Sequence, residues 1–95
     1  MTKAYWVAHV TVTDLKTYQS YRTAAAPVLE QAGARILALG SKQETVSGEM
    51  RPHTVIVEFP SIQAARDCYF GAGYQAIIPE RDKGANVDLS IVEGI

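Results

Sequence analysis

The chain has 95 residues, nine Lys and Arg against ten Asp and Glu for a formal net charge of −1, and one cysteine. That length makes a single domain, residues 1–95, with room for one modest core. The charge balance, with no basic stripe, excludes a nucleic-acid partner; Cys68 alone excludes an internal disulfide or a cysteine-rich zinc site, and no apolar run is long enough to span a membrane. No basic-headed apolar leader precedes the first strand, and together with the lone thiol this points to a soluble, cytoplasmic protein.

Residues 4–12, AYWVAHVTV, alternate: Trp6, Ala8, Val10 and Val12 point one way, Tyr5, Val7, His9 and Thr11 the other, which is the period of a strand. Asp14 offers a cap to a helix whose stripe is Leu15, Tyr18, Ala25, Val28, Leu29 and Ala32, spaced by threes and fours. Pro27 predicts a kink or restart in it, and Gly33 its end. ARILALGS (34–41) reads as a second strand bent at Gly40 and carried on by QETVSG (43–48). HTVIVEFP (53–60) is a third, with Val55, Val57 and Phe59 on its apolar side and Thr54, Ile56 and Glu58 on the other. Ser61 caps a second helix from Ile62 to about Phe70. Gly71 and Gly73 break it by taking positive φ, YQAIIPER adds a short further helix, and VDLSIVEGI (87–95) is the last strand.

The order β-α-β-β-α-β is the ferredoxin-like pattern of an α+β fold. Strands one and three lie side by side and antiparallel in the middle of a four-stranded sheet. Helices cover the face carrying Val10, Val12, Val57 and Phe59. The other face, with Tyr5, Val7, His9, Ile56 and Glu58, is too apolar to be left wet. A homodimer, sheet against sheet about a two-fold axis, satisfies it.

Five phrases, VTDLKTYQSYR (12–22), GARILALG (33–40), EFPSIQAARDCYF (58–70), GYQAIIPERD (73–82) and IVEGI (91–95), resemble in residues and order the domain-of-unknown-function 1330 family of the dimeric α/β-barrel superfamily. The resemblance implies a ferredoxin-like monomer whose sheet closes into a barrel with its twin. Of function it implies little. The superfamily includes cofactor-independent monooxygenases, heme-degrading enzymes, muconolactone-type isomerases and stress-response proteins, many with a ligand cleft between helices and sheet, and fold alone transmits none of these chemistries. The chain departs from the family at Leu39 and at Met50 and His53, where an arginine, a tryptophan and an arginine are usual, and at Phe70-Gly71-Ala72-Gly73. Two polar anchors for an anionic substrate are thereby missing.

The candidate residues follow from where aromatic and titratable side chains fall. Tyr69 and Tyr74 flank the glycine bend, each combining a large ring with a hydroxyl, and Arg81 lies two helical turns beyond Tyr74. They read as the polar rim of a small-ligand cleft, or as rings capping the core beside a surface arginine. Trp6, on the helix-facing side of strand one, and Tyr18, on the stripe of the first helix, line such a cleft or fill the core, while Tyr21 and Arg22 read as packing at the border of the stripe. His9 and Glu58 share the bare face on adjacent strands, where they form an acid–base pair or a polar contact within the dimer interface. His53 sits near a turn, exposed, with no second ligand at metal spacing. Cys68 is a buried, inert thiol. The expectation is a homodimer needing neither metal nor cofactor, binding an aromatic or carbonyl compound between helices and sheet, with isomerase- or monooxygenase-type chemistry. The alternative is a structural or stress-response domain without a ligand.

Overall fold

In the structure, a computed structural model describing residues 2–95, the alternating N-terminal segment forms strand β1 (Ala4–Val12). There follow α1 (Leu15–Gln31), β2 (Arg35–Ala38), β3 (His53–Phe59), α2 (Ile62–Phe70), α3 (Ala72–Gln75), α4 (Ile78–Gly84) and β4 (Ala85–Glu93). The strands make one four-stranded antiparallel sheet in the order β2-β3-β1-β4. This is the ferredoxin-like α+β arrangement, with two short helices, α3 and α4, between α2 and the last strand.

Local chemistry sets the helix ends. Asp14 Oδ1 accepts the Thr17 N–H at 3.3 Å and Ser61 Oγ the Ala64 N–H at 3.1 Å, capping α1 and α2. At the far end of α1, Gly33 adopts φ +71°. Its N–H then reaches Glu30 O at 3.1 Å while that of Ala34 reaches Leu29 O at 3.0 Å, a Schellman closure. Pro27 does not divide the helix: α1 runs unbroken across it, because one forfeited bond is small beside the packing of so long a helix along α4.

Three expectations are corrected. Strand β2 ends at Ala38, with a register shift after Ile36, and residues 43–48 are irregular rather than a continuation. Gly40, at φ +71°, turns the chain there against Thr54, whose N would lie 2.7 Å from any Cβ. Gly71 and Gly73 do not take positive φ. Gly71 is extended (φ −71°, ψ 158°), and its missing side chain matters for contact, since a Cβ would lie 2.8 Å from Asp67 O; at Gly73 a Cβ would come within 3.5 Å of Val28.

Trp6, Ala8 and Val10 stand opposite Val57, Val55 and His53 on one side and Ile91, Leu89 and Val87 on the other. All point toward the helices. Ala4, Trp6, Val57, Phe59, Ala65, Cys68 and Tyr74 form the main core beneath α2. Cys68 is buried, and burial pushes its thiol above its ordinary pKa. The other sheet face carries Tyr5, Val7, Ile56 and Val92, and no element among the described residues covers it: the fold is a slab only 16 Å thick. Its surface, 6128 Å² for 10.3 kDa, exceeds by several hundred Å² the roughly 5,400 Å² of a compact monomer that size. No helix among the described residues is long and apolar enough to cross a membrane.

Candidate functional site

Helix α1 lies chiefly along α4 instead of flat on the sheet. The reason is a weld at Gly84. Its carbonyl accepts the N–H groups of Thr13 and Asp14 at 2.9 and 3.0 Å, and a Cβ there would sit 2.6 Å from Tyr18 N. Only glycine lets the end of α4 come that close to the start of α1. Between the raised helix and the sheet opens a cleft of about 860 Å³. Ala8, Val10, Val55 and Leu89 floor it, Ala25 and Leu29 belong to its roof, and no Asp or Glu lines it.

Its polar wall is a chain of three side chains. Arg81, only 7% exposed, donates through Nη1 to Tyr74 Oη at 3.3 Å, and Tyr74 Oη lies 2.6 Å from Tyr21 Oη. Tyr74 is 1% exposed, so its hydroxyl hydrogen needs a protein acceptor. The arrangement that satisfies every group has Arg81 donating to Tyr74 and Tyr74 to Tyr21, whose own hydrogen is then left to face the cleft. Burial, then the neighbouring Tyr74, raises the Tyr21 pKa far above that of a free phenol. Tyr21 is therefore a donor at any physiological pH. Tyr18 is raised too, by burial against the opposing pull of Arg22. Burial works against the charge on Arg81, but the hydrogen bonds it donates to Tyr74 and Asp82 outweigh that and hold its pKa above the ordinary value. Asp82 Oδ1 accepts from Nε at 3.0 Å. A cation at the head of the chain polarises each hydroxyl after it.

Of the residues singled out in the sequence, Trp6, Tyr18, Tyr74 and Arg81 line the cleft. Tyr69 does not. It stands behind them, its ring 5.6 Å from Trp6 and 5.2 Å from Tyr74, supporting the wall from the core side. Trp6 is fixed by its own bond, Nε1 donating to Ala65 O at 3.0 Å, and by Phe59 and Tyr74 rings each 4.9 Å away. His9 and Glu58 are not brought together within the chain. The register sets His9 against Thr54 and Glu58 against Tyr5, four residues or about 13 Å apart along the ladder. His9 Nδ1 lies 3.4 Å from Thr54 Oγ1, and Glu58 pairs with Lys3 Nζ at 3.1 Å. Both are on the bare face, away from the cleft.

Three residues weighed in the sequence and not expected in the cleft line it: Tyr21, Arg22 and His53. Tyr21 looked like packing because helical spacing gives its direction, not its partner fifty-three residues on. His53 is half-buried in the cleft wall rather than exposed; its place in the alternation with Val55, Val57 and Phe59 was the available signal. Leu39 also lines the cleft, so both of the family's arginine positions that lack arginine here, Leu39 and His53, fall on this wall. Among the described residues no cluster suits a metal ion.

The same fold recurs in solved proteins of low sequence identity. A protein of unknown function from Rhodopseudomonas palustris superposes with TM-score 0.77 at 17% identity, over 99% of this chain and 83% of its own. SnoaB, a cofactor-independent oxygenase from Streptomyces nogalater, gives 0.69 at 11% identity, over 96% and 91%. A putative antibiotic biosynthesis monooxygenase from Nitrosomonas europaea gives 0.59 at 11%, over 100% and 93%. No curated protein matches the sequence. Residues 3–95 match the family described as Domain of unknown function (DUF1330), and the chain belongs to that family, with a ferredoxin-like α+β fold that these solved proteins share.

Proposed function

We propose that this protein is a homodimer, joined through its bare sheet face, that binds a small aromatic or carbonyl-containing molecule in the cleft of each subunit. The observation that carries the reading is the Arg81–Tyr74–Tyr21 chain. It leaves one polarised hydroxyl for a cleft whose floor and roof carry apolar side chains, with a few polar ones among its walls, the composition of a small-molecule site. A carbonyl oxygen, or the enolate oxygen formed from it by loss of a neighbouring proton, accepts a hydrogen bond from that hydroxyl. Because the chain begins on a cation, it holds a developing negative charge better than a neutral oxygen. That is the requirement of a proton shift beside a carbonyl, and of oxygenation driven by the substrate's own electron-rich carbanion. The likeness to a cofactor-independent oxygenase supports a reaction of this kind. The dimer rests on the apolar bare face and the excess surface, comparable with the roughly 800 Å² that each partner gives to a standard interface.

A thermal-shift screen of small aromatic carbonyl compounds tests the reading, because a ligand that binds only the folded state raises the midpoint by mass action. Hits are expected to lose about tenfold in affinity in Tyr21→Phe, which removes one charge-assisted bond. A panel in which no compound binds the wild type, or in which every hit is indifferent to that substitution, overturns it.

A further inference from the structure

His53 Nδ1 lies 2.8 Å from Gly40 O. A carbonyl can only accept, so Nδ1 carries the hydrogen and the neutral ring keeps its lone pair on Nε2, on the side away from Gly40. Gly40 is packed close to this strand: at φ +71° a Cβ on it would lie 2.7 Å from Thr54 N and 3.0 Å from the Cβ of His53, leaving no room for a side chain. The cleft wall therefore holds an acceptor oriented by this bond, the only hydrogen bond that the His53 side chain makes among the described residues.

The acceptor and the donor chain belong to different rows of the sheet. His53 stands opposite Val10, whereas Trp6, against whose ring Tyr74 packs at 4.9 Å, stands opposite Val57. Four residues of β1 separate those rows, about 13 Å, with Ala8, Val55 and Leu89 between them on the cleft floor. Groups so placed do not act on one atom of a ligand. They address its two ends.

We infer that the cleft selects an elongated, flat molecule with an oxygen acceptor at one end and a hydroxyl or N–H donor at the other. Tyr21 meets the acceptor, and His53 Nε2 meets the donor as a specificity-determining residue. This rests on the reading of the cleft as a ligand site and adds the polarity of what fills it. A ligand without the donor leaves Nε2 facing apolar surface, which costs roughly tenfold in affinity.

Calorimetric titration with three probes tests it: para-hydroxychalcone, para-methoxychalcone (donor removed) and para-hydroxystilbene (carbonyl removed). Wild type is expected to bind the first about tenfold more tightly than either other. His53→Phe abolishes the preference for hydroxyl over methoxyl and keeps that for the chalcone over the stilbene; Tyr21→Phe does the reverse. Should His53→Phe fail to fold, the hydroxyl–methoxyl comparison on wild type still decides. Nitrogen NMR of labelled histidine adds a direct readout, Nε2 of His53 moving with para-hydroxychalcone and not with its methyl ether. Binding of the chalcones without discrimination, or a hydroxyl preference that survives His53→Phe, overturns this inference alone. Failure of all three to bind wild type removes the ligand-site reading and this one with it.

Discussion

Replacing Tyr74 by phenylalanine deletes one oxygen and leaves the ring. That oxygen serves two partners: Arg81 Nη1 at 3.3 Å and Tyr21 Oη at 2.6 Å. Tyr21 borders the cleft and turns to water at small cost, about 0.5–1 kcal/mol. Arg81 is 7% exposed, and a bond to a buried charge is worth about 1.5–3 kcal/mol. The long distance and the retained Asp82 partner at 3.0 Å put this one at the low end. The sum is a loss of about 2 kcal/mol, or roughly 8–16 °C in the melting midpoint for a domain this small. Urea denaturation at one fixed protein concentration measures it, the concentration being held because a dimer's apparent stability depends on it. Tyr21→Phe alone is expected to cost less, and the double variant to fall short of the sum by about 1 kcal/mol, since both substitutions break the same bond. A Tyr74→Phe protein within about 0.5 kcal/mol of wild type, or strictly additive effects, would show that the hydroxyls are not a coupled chain.

Ile56→Lys puts a charge in the middle of the bare face, and two-fold symmetry places it twice. Analytical ultracentrifugation is expected to show a wild-type dimer and a variant at least tenfold weaker in association; an equally tight variant dimer argues that the copies meet elsewhere. Gly84→Ala forces a Cβ to within 2.6 Å of Tyr18 N, which overpacking rates at about 2–3 kcal/mol. An unchanged denaturation midpoint would mean that α1 and α4 part freely. Tyr18 and Tyr21 titrate above the ordinary 10.0 when folded, so the unfolded chain gives up its phenolic protons first. Their contribution to stability is complete below pH 10 and is lost as pH rises beyond it. Phenolate absorbance followed in native and urea-unfolded protein checks the order, and coincident titrations would contradict it.

Much of this architecture was legible because short-range chemistry carries it. The alternation of Trp6, Ala8 and Val10 against Tyr5, Val7 and His9 assigns β1 and sorts its faces, and Asp14, Ser61 and Gly33 mark helix ends with side chains and a left-handed turn that need no tertiary context. The site was harder to read. Helical spacing tells which way Tyr21 points, not that α1 stands away from the sheet, because that height is fixed by the distant Gly84. His9 and Glu58 share a face, as read, but their separation depends on the β1–β3 register, which no local signal sets. Gly71 and Gly73 were credited with dihedral freedom when their role is the absence of a Cβ beside Asp67 and Val28. His53 was overlooked for its nearness to a turn, although the period of β3 extended to it.

The cleft stays open for the same reason that it can recognise anything. A two-layer slab ordinarily closes such a gap by laying its helix on the sheet and burying apolar surface at about 25 cal/mol per Å². Here that movement would press the Tyr21 hydroxyl toward Val10, Val55 and Leu89, whose side chains offer no acceptor. Stranding that hydroxyl costs about 1–3 kcal/mol, enough to offset the burial of roughly 40–120 Å². The weld of α1 to α4 at Gly84 resists the same movement sterically. A ligand with an acceptor oxygen and an apolar body gives the sheet and helix their missing contacts without breaking the Arg81–Tyr74–Tyr21 chain, whereas collapse of the empty cleft supplies the apolar contacts only by stranding the polar ones.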